Sequence, residues 1–276
     1  MVADLVATPV LEHLAAREAS GVAHPPGGGA LYIVLAGFVI ALTARGVPLM
    51  PSGIVVADLP PGGGAARVAP GRVAVGAHEV TWDAAHPPRW EPALRPAEPA
   101  ERAALERRGN AILAALGVDG APAVGGGMEI TATGPGAEGA QHLRRALADR
   151  DPAEAALAAE RLIGLGGGLT PEGDDVLAAT AAVVAAIGDA VGFAAPARAR
   201  WLAALVPADA GERTTALSAT LLALAAEGRI AEPVHPLLET GDPHWRQALV
   251  RLEGAGASTG RAYAVAVGAT LRMLAA

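Results

Sequence analysis

Gly164-Leu-Gly-Gly-Gly-Leu-Thr-Pro-Glu-Gly-Asp-Asp175 is the segment that decides the fold of the C-terminal part of this 276-residue chain. Asp151-Pro-Ala-Glu154 lies upstream and combines an N-cap, a proline at the first helical position and a capping-box glutamate. It predicts a helix that ends at Ile163, and Thr170 with Pro171 predicts a second helix through Ile187, capped by Thr170. The segment is therefore a glycine loop between two helices.

This arrangement excludes two common phosphate-binding motifs. A P-loop requires a lysine directly after its glycines, and the chain contains no lysine. The dinucleotide fingerprint requires a preceding strand and a third glycine at the position of Leu169. The segment is neither motif.

The composition of the loop nevertheless suits ligand chemistry. The backbone amides of Gly166, Gly167 and Gly168, together with Thr170, are candidate groups for an anion at the start of a helix. Asp174 and Asp175 are the candidate catalytic residues, able to orient a substrate, to act as a base or to bind Mg²⁺. The alternative is purely structural: a tight turn whose acids complement the helix dipole.

Two further segments carry polar groups in similar settings. We predict a helix over residues 209–227 that places Thr214 and Ser218 on one face, with Arg213 beside them as a candidate for binding a carboxylate or phosphate. Residues 254–261 again place glycines and hydroxyl groups before a predicted helix that begins near Ser258. Both segments have a structural alternative as polar helix starts.

The composition limits the chemistry and the partners. Without cysteine and lysine, the chain has no thiol nucleophile and no Schiff-base lysine. The formal net charge of −7 argues against nucleic acid and anionic membranes as partners. No signal peptide or membrane-spanning run is evident, so we expect a cytoplasmic protein.

The N-terminal part differs in character from the C-terminal part. Short β-branched runs at residues 31–43, 53–57, 72–76 and 78–82 follow a predicted helix at 11–19, and Gly37 marks a bulge or a bend in the first run. A proline-rich stretch at 89–99 precedes a helix over 99–116, and residues 128–133 predict one more strand. The expected class is α+β: a mostly antiparallel small sheet or partial barrel in a domain of residues 1–95, then a mainly helical domain of residues 96–276.

At these motifs the sequence resembles a bacterial family that includes the AllH subunit of oxamate carbamoyltransferase. The family signature is similar to Gly-x-Gly-x-Gly-Leu-Thr-Pro-Ser-Gly-Asp-Asp, and residues 164–175 follow it except that Glu172 replaces the serine. Residues 214–218 are similar to a second family block and residues 256–260 to a third, in which Ala257 and Ala262 replace positions that are often polar.

The resemblance implies a role in carbamoyl transfer during allantoin breakdown. The expected reaction converts oxalurate and phosphate to oxamate and carbamoyl phosphate, in company with partner subunits. Three hypotheses follow: a carbamoyltransferase subunit or stand-alone relative that binds a small anionic substrate, a non-catalytic structural or partner-binding subunit, and a metal-dependent hydrolase of a small amide or phosphate ester.

Overall fold

The structure is a computed structural model that describes residues 1–15, 18–118, 134–256 and 258–276. The chain divides into two compact units, Met1–Pro92 and Ala93–Ala276. The strand predicted at residues 128–133 lies outside the described residues. None of the helices in the described ranges combines the length and the apolar character needed to cross a membrane.

The first unit is a curled mixed sheet with one short helix, α1 (Thr8–Leu14). Its described strands are β1 (Ala3–Ala7), β2 (Ala19–Ala23), β3 (Ala30–Leu35), β4 (Phe38–Ala44), β5 (Gly53–Val56), β6 (Gly64–Ala69), β7 (Arg72–Val75), β8 (His78–Thr81) and β9 (Arg89–Trp90). They lie in the order β8-β7-β6-β2-β3-β4-β5-β1-β9. The pairs β4–β5 and β1–β9 are parallel and the other pairs are antiparallel. The predicted mostly antiparallel sheet is therefore confirmed.

Two local predictions in this unit were wrong. Residues 31–43 form a hairpin, because Gly37 has a φ of 77° and belongs to the turn between β3 and β4. Only glycine adopts this left-handed conformation without strain, so the residue reverses the chain instead of bending one strand. The predicted helix at 11–19 begins earlier, at Thr8, and ends at Leu14.

The second unit is helical in its described residues. It contains α2 (Arg102–Ala115), α3 (Pro135–Asp149), α4 (Pro152–Leu162), α5 (Glu172–Ile187), α6 (Ala195–Leu205), α7 (Ala210–Arg213), α8 (Ala216–Ala226), α9 (His235–Leu238), α10 (Trp245–Glu253) and α11 (Thr259–Ala275). A short 3₁₀ turn, Pro99–Glu101, leads into α2, and the two together match the helix predicted over 99–116. The α+β class is thereby confirmed.

Helix α5 occupies the centre of this unit. It packs against α6, α8 and α11, and its residues are buried except for Ala185. A helix that is apolar on every side is typical of a core position, and its many alanines allow neighbouring helices to approach closely. Its first turn therefore carries Glu172, Asp174 and Asp175 into the interior, where each is at most 2% exposed.

Candidate functional site

The glycine loop joins α4 to α5, as the sequence predicts. The Asp151 carboxylate caps α4 by accepting a hydrogen bond from the Ala153 amide at 2.8 Å. Gly164 ends this helical segment with a φ of 70°, and a Cβ atom there would lie 2.4 Å from the carbonyl oxygen of Arg213. Glycine is thus required both for the backbone angle and for the close approach of residue 213.

The start of α5 differs from the prediction. Thr170 does not cap the helix, since Pro171 occupies the N-cap position and no side chain caps the end. The Gly173 amide donates to the Leu165 carbonyl at 2.9 Å, and the Asp174 amide donates to the Pro171 carbonyl at 3.0 Å. These amides are satisfied by the chain itself, so the exposed stretch Gly166–Leu169, not the helix end, is the part of the motif that faces solvent.

The Asp174 carboxylate holds the loop and a second segment together. Its Oδ1 accepts from the Gly164 amide at 2.7 Å, and its Oδ2 accepts from the Thr214 hydroxyl. Burial raises the pKa of Asp174, while the bonds from Gly164 and Thr214 and the nearby Ser218 hydroxyl oppose that rise. Asp174 is therefore an internal carboxyl group on which two of the sequence motifs converge.

Asp175 has a different environment. It is 2% exposed, and its Oδ2 has no hydrogen-bond partner among the residues that the structure describes. Burial raises its pKa to about 8; the Thr259 hydroxyl opposes the shift, and the charges of Asp174 and Glu172 add to it. At neutral pH this carboxyl group is therefore protonated in most of the molecules.

The second motif lies at the site, but its local structure differs from the predicted one. The predicted helix over 209–227 is two helices, α7 and α8, with Thr214 in extended backbone between them. Thr215 starts α8: its hydroxyl accepts from the Ser218 amide at 3.1 Å and donates to the Leu169 carbonyl at 2.6 Å. The prediction that Thr214 and Ser218 share a helix face was wrong, although both lie beside Asp174.

The Arg213 side chain makes its contacts with Glu160 and Asp209. Its Nη2 donates to the Glu160 carbonyl oxygen near the end of α4 at 3.3 Å, and its Nη1 lies 3.9 Å from Asp209 Oδ1. A cation suits the C-terminal end of a helix, where carbonyl groups are unpaired. The position of this side chain supports a capping contact and gives no support to the predicted anion-binding role.

The third motif contributes the start of α11. The Thr259 hydroxyl lies 2.8 Å from that of Thr170, and Gly260 packs directly on α10, where a Cβ atom would lie 1.7 Å from the Leu252 carbonyl oxygen. Ala257 lies outside the described residues, and Ala262 is buried. All three motifs therefore meet around the first turn of α5.

Tyr263 is a neighbour of this cluster that the sequence reasoning missed. Burial raises the pKa of its phenol, and the charges of Asp175 and Asp174 raise it further. The signal available in the sequence was its spacing, since Tyr263 follows Thr259 by four residues and so lies on the same face of α11.

The two aspartates are not arranged as a metal centre. Within the described ranges, no group of three or more histidine or acidic side chains is placed to hold a metal ion. Both oxygens of Asp174 already accept hydrogen bonds, and the donors that point at them would oppose a cation. Asp174 therefore has no oxygen without a hydrogen-bond donor to offer Mg²⁺.

The fold and the site define an α+β protein whose helical unit gathers buried acids and hydroxyl groups beneath a glycine loop. The family model described as oxamate carbamoyltransferase subunit AllH matches residues 162–271, about two-fifths of the chain. This match confirms the resemblance and spans all three motifs. Searches of curated proteins and of solved structures found no match.

Proposed function

We propose that this chain is a subunit of a carbamoyltransferase of the oxamate type and that it binds a small anionic substrate where the three motifs meet. One observation carries the proposal: the segment that matches the family model supplies Gly164–Asp175, Thr214, Ser218 and Thr259, and the fold gathers these around Asp174 and Asp175. The word subunit in the family description supports partner subunits as further components.

The proposed reaction places defined demands on such a site. An oxygen of phosphate attacks the carbamoyl carbon of oxalurate, the bond from that carbon to the inner nitrogen breaks, and this nitrogen takes up a proton to give oxamate. The other product is carbamoyl phosphate. Neither lysine nor thiol is needed, only groups that hold anions and N–H groups in place and a proton source for the leaving nitrogen.

The roles we assign follow the geometry. The exposed backbone of Gly166, Gly167 and Gly168, with the Thr170 hydroxyl, binds the anionic end of the substrate. Asp174 is a positioning residue, since its carboxylate fixes the loop against Thr214. Asp175 is the group that faces the substrate.

A non-catalytic role in a complex is the second candidate, and a specific observation favours it. Asp174 is bound by groups of its own chain, as expected of a structural anchor, and Leu169 at the tip of the loop is 53% exposed. An exposed leucine on such a loop suits a contact with another protein. No observation on the described residues favours the hydrolase alternative.

Thermal unfolding of the purified chain with phosphate, carbamoyl phosphate and oxamate tests the proposal. A ligand at about 100 times its dissociation constant stabilises the folded chain by about 2.7 kcal/mol, so we expect a clear rise in the unfolding midpoint with at least one of the three. Thr170→Ala removes a proposed contact and reduces this rise. Thr180→Val, a buried change further along α5, leaves it intact.

The outcomes separate the two candidates. A midpoint that none of the three ligands raises contradicts substrate binding by this chain and leaves the structural role. In that case, the same measurement repeated with partner subunits added would show stabilisation by protein contacts alone.

A further inference from the structure

Two polar atoms at the site are buried without a partner. Asp175 Oδ2 and the Ser218 hydroxyl make no hydrogen bond among the described residues, and each residue is only 2% exposed. Leaving such an atom unsatisfied costs about 1–3 kcal/mol, and native structures rarely do so without a reason. The Ser218 hydroxyl lies beside Asp174, whereas Asp175 points in another direction from α5, so Asp175 Oδ2 is the unsatisfied atom left for a ligand.

The groups that surround this place are mainly acceptors or hydroxyl groups. Glu172, Asp174 and Asp175 share the first turn of α5, and the hydroxyl groups of Ser218 and Thr259 lie beside them. The Arg213 side chain contacts the Glu160 carbonyl oxygen and the Asp209 carboxylate. A lining of this kind matches a ligand that offers N–H donors and does not match a bare anion.

We propose that Asp175 accepts a hydrogen bond from the N–H group of the substrate's amide or carbamoyl end and is thereby the residue that selects an amide over a carboxylate. This inference rests on the proposed function and assigns an orientation to the substrate in the site. The amide end lies at Asp175, and the anionic end lies at the exposed glycines.

The charge state of Asp175 agrees with this assignment. Because burial raises its pKa to about 8, the carboxyl group is mostly neutral at pH 7 and does not repel a substrate that carries its own carboxylate. A protonated carboxyl also presents one donor and one acceptor side by side. A primary amide presents the complementary pair, so the two groups can form two hydrogen bonds.

Oxamate and oxalate provide the test, since they differ only by an amide in place of a carboxylate. Isothermal titration of the full chain at pH 7 is expected to show oxamate bound at least about tenfold more tightly than oxalate. In Asp175→Leu, which keeps a branched side chain, adds bulk and removes the acceptor, oxamate affinity falls by about tenfold or more, and the preference for oxamate disappears. Asp175→Asn keeps an acceptor and a donor at this position and retains the preference.

Two controls make the result decisive. Thr180→Val removes another buried hydroxyl from α5 and leaves both affinities unchanged. The unfolding midpoint of each variant is measured first, and Asp175→Ala replaces the leucine variant if the latter does not fold.

The inference and the proposed function fail in different ways. A folded Asp175→Leu variant that binds oxamate as tightly as the wild type overturns the role of Asp175 and leaves the proposed function standing. A wild-type chain that binds phosphate or carbamoyl phosphate but prefers oxalate to oxamate also overturns the inference alone. If no ligand of either kind binds, both are rejected.

Discussion

Gly173→Ala is expected to lower the free energy of unfolding by about 3 kcal/mol, as for severe overpacking in a rigid core. A Cβ atom at this position would lie 1.9 Å from the carbonyl oxygen of Leu162 and 2.8 Å from its carbonyl carbon. Both atoms belong to the backbone at the end of α4, so the clash is relieved only if α4 and α5 move apart. That movement would also disturb the bond between Asp174 and Gly164.

Gly211→Ala is the matched control for this substitution. Gly211 lies in the short helix α7, and no heavy atom would lie within 4 Å of an added Cβ atom. Because alanine has less conformational freedom to lose than glycine, we expect this variant to be about 0.5 kcal/mol more stable than the wild type. Urea unfolding of both variants measures the contrast, and equal stabilities would contradict the close packing of α4 on α5.

Asp175→Asn is expected to become more stable relative to the wild type as the pH rises. The pKa of Asp175 in the folded chain is raised to about 8 from its ordinary value of 3.8, so the folded state holds a proton there that the unfolded chain has lost. The free energy of unfolding of the wild type therefore falls as the pH rises from 3.8 to about 8, by at most about 1.4 kcal/mol per pH unit. The asparagine side chain does not titrate, so the variant does not lose this stability as the pH rises.

Urea unfolding at pH 5, 6, 7, 8 and 9 measures this difference between the two proteins. All other titrating groups, including Asp174 and Tyr263, are common to both, so their contributions largely cancel. Thr180→Val follows the pH dependence of the wild type as a control. A stability difference that does not change with pH would show that the Asp175 carboxyl is ionised in the folded chain despite its burial.

The sequence predicts the helical unit well where the local chemistry is strong. Asp151 with Pro152 correctly starts α4, and Gly164 correctly ends that segment, because capping and left-handed backbone are properties of single residues. The sheet was predicted less completely. Strands β2 and β6 consist largely of alanine, glycine, serine and a single valine each, which carry little strand preference, so only pairing with β3 and β7 identifies them.

The sequence predicts which residues form the candidate site but not how they are arranged, and their role at a site stays a prediction. The motifs indicate that Asp174, Asp175, Thr170, Thr214 and Ser218 belong together, whereas the break between α7 and α8 depends on the long-range bond from Thr215 to Leu169. The different environments of the two aspartates could not be predicted from the sequence either. Adjacent residues on a helix point in different directions, and the neighbours that each one meets depend on how the helices pack.

The structure shows an electrostatic effect of Glu172 that the sequence alone does not predict. It stands where the family signature has serine, and it is fully buried at the start of α5. Its charge contributes to the raised pKa of Asp175. A Glu172→Ser substitution would remove this charge and so would lower the pKa of the acid that we place against the substrate.

A crystal structure of the chain soaked with oxamate tests the central claim most directly. The account predicts density for one molecule whose amide nitrogen lies within hydrogen-bond distance of Asp175 and whose carboxylate lies against the loop of Gly166–Leu169. Density at that position establishes the three motifs as a substrate site. Ordered oxamate elsewhere on the chain, with this position empty, would contradict the account.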